Sequence, residues 1–344
     1  MNILITSVGR RGYLVEYFKK ALGETGKVHV GNSEMCTGFY YADRYVITPM
    51  IYDKEYIPFL LNYCEKNDIG MVLSLFDIDL WMLAKNKTYF EQRGIRVIVS
   101  DKSVIEICND KWKTNQFCVK HGFSTPKTFL NRLEVEKGIQ RGELQFPIIV
   151  KPRWGMGSIA VNEANNFEEL RVLSGIVKRK IFNSYLKYES NANREECIIY
   201  QEKLCGTEYG VDVIHDLRKK HMVSVVKEKL AMRSGETDCA RVVINPRIMQ
   251  FAEEIGYELG HIGNLDMDVF ATENDIYLLE MNARFGGGYP FSHSAGIDLP
   301  RAIICWLEHR KIEDEFVLRQ VGNVFQKDIR IVVEPDHCVA WSIQ

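Results

Sequence analysis

Short apolar runs at residues 2–8, 28–30, 45–48, 70–75 and 96–99 alternate with stretches of helical spacing, and nothing else in the 344-residue chain restricts its fold so strongly. The first run, NILITSV, is β-rich and is followed at once by Gly9-Arg10-Arg11-Gly12. Tyr13, Leu14, Tyr17, Phe18, Ala21 and Leu22 then recur on one helical face, which Gly23 closes. Further helical stretches lie at Ile57–Asn67 and Leu80–Gln92. Fully apolar strands with helices between them imply a parallel sheet covered on both faces, so the first domain is α/β and spans 1–110.

After that domain the grammar changes. Asn109-Asp110 caps a predicted helix that runs to Lys120 and stops at His121-Gly122, with Pro126 just beyond. FPIIVK (146–151) and SIAV (158–161) read as strands joined by the glycine hairpin PRWGMG. A helix is expected over Asn166–Lys178 and a polar loop over 182–196, which makes 111–196 a linker helix plus a small lid. From Cys197 the chain is strand-rich: CIIYQEKL, EYGVDVIHD and MVSVVKEKL. A helix from Asn245-Pro246 to Gly260 follows, then a hairpin of Leu265–Ala271 and Ile276–Asn282, a helix over Leu299–Glu308, and last strands within Asn323–Val333. Residues 197–344 are therefore expected to form an antiparallel third region, and the whole to be α+β.

Composition narrows the partners. Lys+Arg total 44 against Asp+Glu 46, a net charge of -2, which gives no general attraction to nucleic acid or an anionic membrane. Cysteines at 36, 64, 108, 118, 197, 205, 239, 305 and 338 are scattered with no Cys-x-x-Cys pair, which fits a reducing, cytoplasmic setting better than disulfides or zinc. The start MNILITSVGRRGYL does not read as a signal peptide, and no run approaches the length of a membrane span.

Three stretches carry chemistry. In DVFATENDIYLLEMNARFGGG, from Asp268, alternation along a strand points Glu280 and Asn282 the same way. A hairpin centred on Glu273–Asn274 sets Asp268 opposite Leu279 or Glu280. Two carboxylates and an amide oxygen on one face suit Mg2+, which completes its shell from waters and phosphates. Arg284 follows and can clamp a phosphoryl oxygen, and the glycine run after Phe285 lets backbone approach a ligand closely. An isolated E-x-N on a solvated hairpin is the plain alternative, and the glycine run argues against it. Next, Lys151 ends an apolar strand, where its ammonium requires an anion nearby, and Gly155 and Gly157 can turn N–H groups toward phosphate oxygens. This is neither a Walker loop nor a dinucleotide fingerprint. Finally, YQEKLCGTEYG can offer Glu202 and the backbone of Lys203 and Leu204 to an adenine edge, with Glu208 for a ribose hydroxyl.

The order of these elements resembles the ATP-grasp superfamily along nearly the whole chain, and within it the carbamoyl-phosphate-synthase-like ligases that occur as single modules. E-x-N-x-R with an acid upstream is the specific part of the match. The resemblance implies an N-terminal parallel α/β (pre-ATP-grasp) domain, a small lid, and an antiparallel catalytic domain. Lys111 and Lys151 would meet nucleotide phosphates. Glu202, Lys203 and Leu204 would hold adenine, and Glu208 the ribose. Asp268, Glu280 and Asn282 would bind one or two Mg2+ ions (Mn2+ being the alternative cation), and Arg284 would steady the transferred phosphoryl group. The implied reaction makes an acyl phosphate and ADP, after which an amine displaces phosphate to leave an amide. The partners are thus small-molecule carboxylate and amine substrates, and a homodimer through the first domain.

Substrate contacts are expected from several places. Arg233 and Glu236, in the MRSGETD loop, fall near the γ-phosphate, with Arg233 available to the acceptor carboxylate. Ser7, Arg10 and Arg11 lie at the carboxyl end of the first strand, where open α/β sheets bind ligands. Asp77 or Asp79 is placed to meet an amine, and His293 to face the site. Two rivals remain: a non-catalytic ATP-binding regulatory or accessory module of a larger synthase, and a dinucleotide-dependent oxidoreductase. Intact Lys151, Asp268, Glu280, Asn282 and Arg284 disfavour the first, and SVGRRG in place of G-x-G-x-x-G disfavours the second.

Overall fold

The computed structural model describes residues 1–312 and 316–333, so Cys338 and the end of the expected third region lie outside the described residues. The first domain comprises β1 (Asn2–Thr6), α1 (Gly12–Leu22), β2 (Val28–Asn32), β3 (Arg44–Ile47), α2 (Tyr56–Lys66), β4 (Ile69–Ser74), α3 (Asp77–Glu91) and β5 (Arg96–Ile98). Its five strands are all parallel, in the order β3-β2-β1-β4-β5. Ile3, Leu4 and Ile5 are fully buried between helices on the two faces, as a continuous apolar strand requires. The chain direction reverses across the sheet at β1 and β4, so their carboxyl ends form the crevice of a doubly wound fold.

Two helices lead out of this domain, α4 (Lys102–Asn109) and α5 (Lys111–His121). The second is the predicted linker helix. Asp110 caps it by accepting from Trp112 N at 3.0 Å, and Gly122 closes it in the left-handed conformation.

A small four-stranded sheet follows, built from β6 (Thr128–Phe129), α6 (Arg132–Gln140), β7 (Ile148–Pro152), β8 (Asn162–Ala164), α7 (Phe167–Phe182), α8 (Lys187–Ser190) and β9 (Ile198–Glu202). Its order is β6-β9-β7-β8. Three expectations change here. The strand read at 158–161 lies instead at Asn162–Ala164, because Ser158 and Ala160 both sit at φ 57°, which no extended strand accommodates. The segment 182–196 holds α8 as well as loop. And β9 pairs with β7 and β6, so the small sheet reaches Glu202, past the boundary read at 196.

The large sheet consists of β10 (Thr207–His215), β11 (His221–Arg233), β12 (Glu236–Val243), α9 (Pro246–Leu259), β13 (Gly263–Ala271), β14 (Ile276–Asn282), α10 (Tyr289–Ser294), α11 (Leu299–Leu307) and β15 (Val324–Gln326). The antiparallel order is β14-β13-β10-β11-β12-β15. MRSGETD is a tight hairpin rather than a loop, turning at Ser234 and Gly235, both with positive φ. One face is apolar: Val211, Val213, Val226, Leu265, Met267 and Val269 pack with Ile248, Ala252, Ile255 and Leu259 of α9. Alternation sends Glu208, Asp212, Lys227, Lys229, Asp266 and Asp268 to the opposite face.

Candidate active site

That charged face meets the small sheet across a cleft of about 530 Å3. Lys111, Lys151, Gly155, Gly157, Glu202, Lys203, Leu204, Glu208, Asp268 and Glu280 all line it. Asn282 and Arg284 line an adjoining cavity of about 130 Å3 that shares Asp268 and Glu280 with the cleft. Residues drawn from α5, the small sheet and the large sheet therefore converge, although they are scattered over 170 positions of sequence.

Register explains the acidic group. Asp268 pairs directly with Glu280 and Asp266 with Asn282. A bulge puts Val269 opposite Leu278, leaving Leu279 unpaired between them. Leu278 is thereby buried in the core while Leu279 lines the cleft.

Lysines answer these acids. Lys229 reaches Glu208 and Asp268, each at 2.6 Å, and Lys111 lies 3.7 Å from Glu280. Burial works against the Lys229 charge, but Asp268 and Glu208 hold its pKa well above the usual range. The Asp268 carboxyl is pushed up to about 7, by burial and then by repulsion from Glu280 and Asp266, against the pull of Lys229. Glu280 is held below its ordinary value, since Lys111, Lys151 and Lys229 outweigh its burial. The Lys151 ammonium is lowered to about 8 by burial; Glu280 favours its charge and Lys111 opposes it.

The lid loop is fixed at its root. Arg153 donates to both oxygens of Asp110 at 2.8 Å, and its guanidinium stacks over Trp154 at 4.5 Å. Asp110 so caps α5 and anchors the loop 153–161 at once. Beyond that root the backbone is unusual, with Gly155 at φ 122° and Gly157 at φ 64°. A Cβ on Gly155 would collide with Leu186, whereas Gly157 has open space around it.

Not every expected residue arrives. Arg233 is half exposed and paired with Asp238 at 3.0 Å, outside the residues lining the cleft, because the hairpin turn carries it outward. His293 stacks on Tyr17 with ring centroids 3.6 Å apart and does not face the site. Asp79 is fully buried and accepts from the hydroxyls of Thr6, Ser7, Ser74 and Tyr56, so it braces the crevice instead of meeting a ligand. Arg284 is nearly buried and bridges two acids, Asp77 at 3.0 Å and Asp266 at 3.2 Å, joining the first domain to the large sheet. Arg11 donates to the carbonyls of Leu75 and Phe285 and lines the smaller cavity with Glu236.

Lys227, Lys229 and Asp266 line the site, with Asp212 buried behind Lys227, and none of the four was singled out in the sequence. Their signal was alternation: Lys227 and Lys229 in VVKEKL share a face, as do Asp266 and Asp268 in LDMD. Lys227 pairs with Asp212, and both are buried.

The residues fit a magnesium nucleotide. Asp268, raised to about 7 by burial first and by the carboxylates of Glu280 and Asp266 after it, is a group whose charge a bound cation favours. Ile149, Ile159, Val161, Phe270 and Leu279 give one part of the cleft apolar walls suited to a flat base.

Comparison with known proteins decides the family. A family described as "ATP-grasp domain" matches residues 108–288, more than half of the chain. This chain belongs to the ATP-grasp family. Residues 3–98 match a family described as "PylC-like, N-terminal domain". The large chain of carbamoyl phosphate synthase from Campylobacter jejuni is 24% identical over 218 residues, covering 60% of this chain and 19% of that protein. The chain thus spans about a fifth of that relative's length. Among solved structures, biotin carboxylase of Campylobacter jejuni superimposes with a TM-score of 0.71 at 18% identity, covering 91% of this chain and 72% of the other. L-amino acid ligase from Bacillus licheniformis gives 0.65 at 18% identity, covering 93% and 77%. These likenesses share the fold expected from the sequence: a parallel α/β domain followed by antiparallel sheets. ATP and Mg2+ are the cofactors this family implies. Among the described residues no helix is long and apolar enough to cross a membrane.

Proposed function

We propose that this ATP-grasp ligase joins a small-molecule carboxylate to an amine, forming an amide through an acyl phosphate with release of ADP and phosphate. The observation that carries the reading is the convergence of Lys111, Lys151, Asp268 and Glu280 on one cleft between the two antiparallel sheets. Asp268, Glu280 and Asn282 hold Mg2+. Lys111 and Lys151 bind phosphate oxygens, and the glycine loop closes over them to exclude water from the activated acid. Glu202, Lys203 and Leu204 border the adenine end, and Glu208 the ribose. Bound ATP supplies the phosphoryl group that activates the acid.

The protein's own part is positioning and charge neutralisation. Arg284, tied between Asp77 and Asp266, holds the crevice of the first domain against the metal-binding strands and lines the smaller cavity beside Asp268 and Glu280, where it would steady the transferred phosphoryl group. We also infer a reducing, cytoplasmic compartment, on the scattered cysteines with no Cys-x-x-Cys pair. The test is ADP release over a matrix of small carboxylic acids and primary amines. ADP formation that requires both an acid and an amine supports the ligase. ATP binding without turnover for any pair would favour the regulatory module.

A further inference from the structure

Beside the metal-binding strands lies a much smaller cavity, of about 20 Å3, enough for one water-sized group. It sits between the start of α3, the end of α4, the lid loop and α8, and Glu280 and Asn282 form one side of it. Asp77, Asn109 and Glu189 also line it. Each of these three brings a buried oxygen without a hydrogen-bond partner among the described residues: Asp77 Oδ1, Asn109 Oδ1 and Glu189 Oε2. Asp77 itself is only 3% exposed.

Their remaining polar atoms are already engaged. Asp77 Oδ2 accepts from Arg284, Asn109 Nδ2 donates to the Asp77 carbonyl at 2.9 Å, and Glu189 Oε1 accepts from the Tyr52 hydroxyl. The two cations at hand are both committed, Arg284 to Asp77 and Asp266, and Lys111, which lines the cavity as well, to the Gly155 carbonyl and to Glu280. Burial raises the Glu189 carboxyl, with repulsion from Asp77 adding to it, so the two acids feel each other across the cavity. What remains is a set of acceptors with no donor, at a place where an unpaired buried acceptor is costly.

We propose that this cavity receives the ammonium group of the amine substrate. The proposal rests on the ligase reading above and deepens it by naming a subsite and a substrate class, a primary ammonium. Three acceptors match the three donors of –NH3+, which has no acceptor of its own. The carboxylates supply the charge opposite to a water-sized –NH3+ head, and Ile78, Trp154, Met156 and Leu186 make up the apolar part of the wall. The site adjoins Glu280 and Asn282, so the nitrogen waits next to the strands where the acid is activated. A secondary or quaternary amine offers too few donors and is rejected.

The test uses the full chain with Mg-ADP present and methylammonium chloride as the probe, against tetramethylammonium chloride at the same ionic strength. Tryptophan fluorescence reports binding, since Trp154 lines the cavity. Saturable binding of methylammonium alone, weakened about tenfold or more by Glu189→Gln and by Asn109→Ala, is the expected result. An unchanged Mg-ADP thermal shift in both variants shows that they fold. Equal responses to the two cations, or undiminished methylammonium binding in both folded variants, overturns the subsite. The ligase reading fails separately, if Mg-ADP itself leaves the wild type unaffected.

Discussion

The crevice of the first domain and the face of the large sheet both bury acids, and they treat them in opposite ways. At the carboxyl ends of β1 and β4, Asp79 is saturated by the hydroxyls of Thr6, Ser7, Ser74 and Tyr56. Burial still raises its pKa, but every neighbour that bonds it is neutral, and nothing is left to offer a ligand. On the large sheet, Asp268 and Glu280 face each other among Lys111, Lys151 and Lys229, with more charge than local pairing settles. A satisfied buried carboxylate stiffens a scaffold, and a crowded one is poised to take up a cation.

Breaking the crowded face should give the largest effect. Glu280→Gln keeps the shape and removes a charge, and ATP turnover should fall about a thousandfold, measured as ADP release, with the melting temperature little changed. Asn282→Ala should act in the same direction. Turnover near wild type in either variant would remove the metal assignment. The complementary break is Asp79→Ala, which strands four hydroxyl donors. It should cost about 3 kcal/mol of stability in urea unfolding, while nucleotide affinity of the folded protein is kept. A loss of affinity without a loss of stability would move Asp79 into the ligand site.

A finer cut separates the lid from the sheet. Lys151→Ala should weaken Mg-ADP binding about tenfold, read by titration, because a charge-assisted phosphate contact is lost. Unchanged affinity would reduce the glycine loop to a turn. The smallest effect is one of pH. Burial lowers His29 of β2 to about 4, and in the catalytic region lowers His215 to about 4 and His261 to about 3. Each is neutral when folded and takes a proton near 6.5 when unfolded, so the unfolded chain binds more protons below that pH. Stability from these groups is therefore complete above pH 6.5 and declines as pH falls toward 4. The raised carboxyls of Asp268 and Asp79 act in the opposite direction, so the check is a difference: relative to His261→Gln, the wild type should lose urea midpoint as pH falls from 7.5 to 5.

Local chemistry was legible and distant pairing was not. The β1–β5 alternation, the caps at Asp110 and Asn245, and the stops at Gly122 and Gly260 are all set by neighbours in sequence, and each appears where the pattern put it. The 268–282 hairpin was legible from its turn, but the choice between Leu279 and Glu280 opposite Asp268 is made by a bulge that the turn does not announce. By contrast, β9 joins the small sheet by pairing with β7 some 50 residues away, which no spacing reveals. Arg284 reads as a phosphate clamp beside a glycine run, yet its partner Asp77 is 207 residues distant. The lysines of β11 were visible as letters, but they gain meaning only once β10 and β13 lie beside them.

Thermal unfolding with Mg-ATP, Mg-ADP, NAD and NADP, on the wild type and on Glu280→Gln, tests the central claim most directly. A nucleotide at a hundredfold its dissociation constant stabilises the fold by about 2.7 kcal/mol, a shift of a few degrees for domains of this size. The cleft described here predicts stabilisation by the magnesium adenine nucleotides and a clearly smaller shift in Glu280→Gln. A shift with NAD or NADP alone, or an equal Mg-ATP shift in wild type and variant, would contradict it.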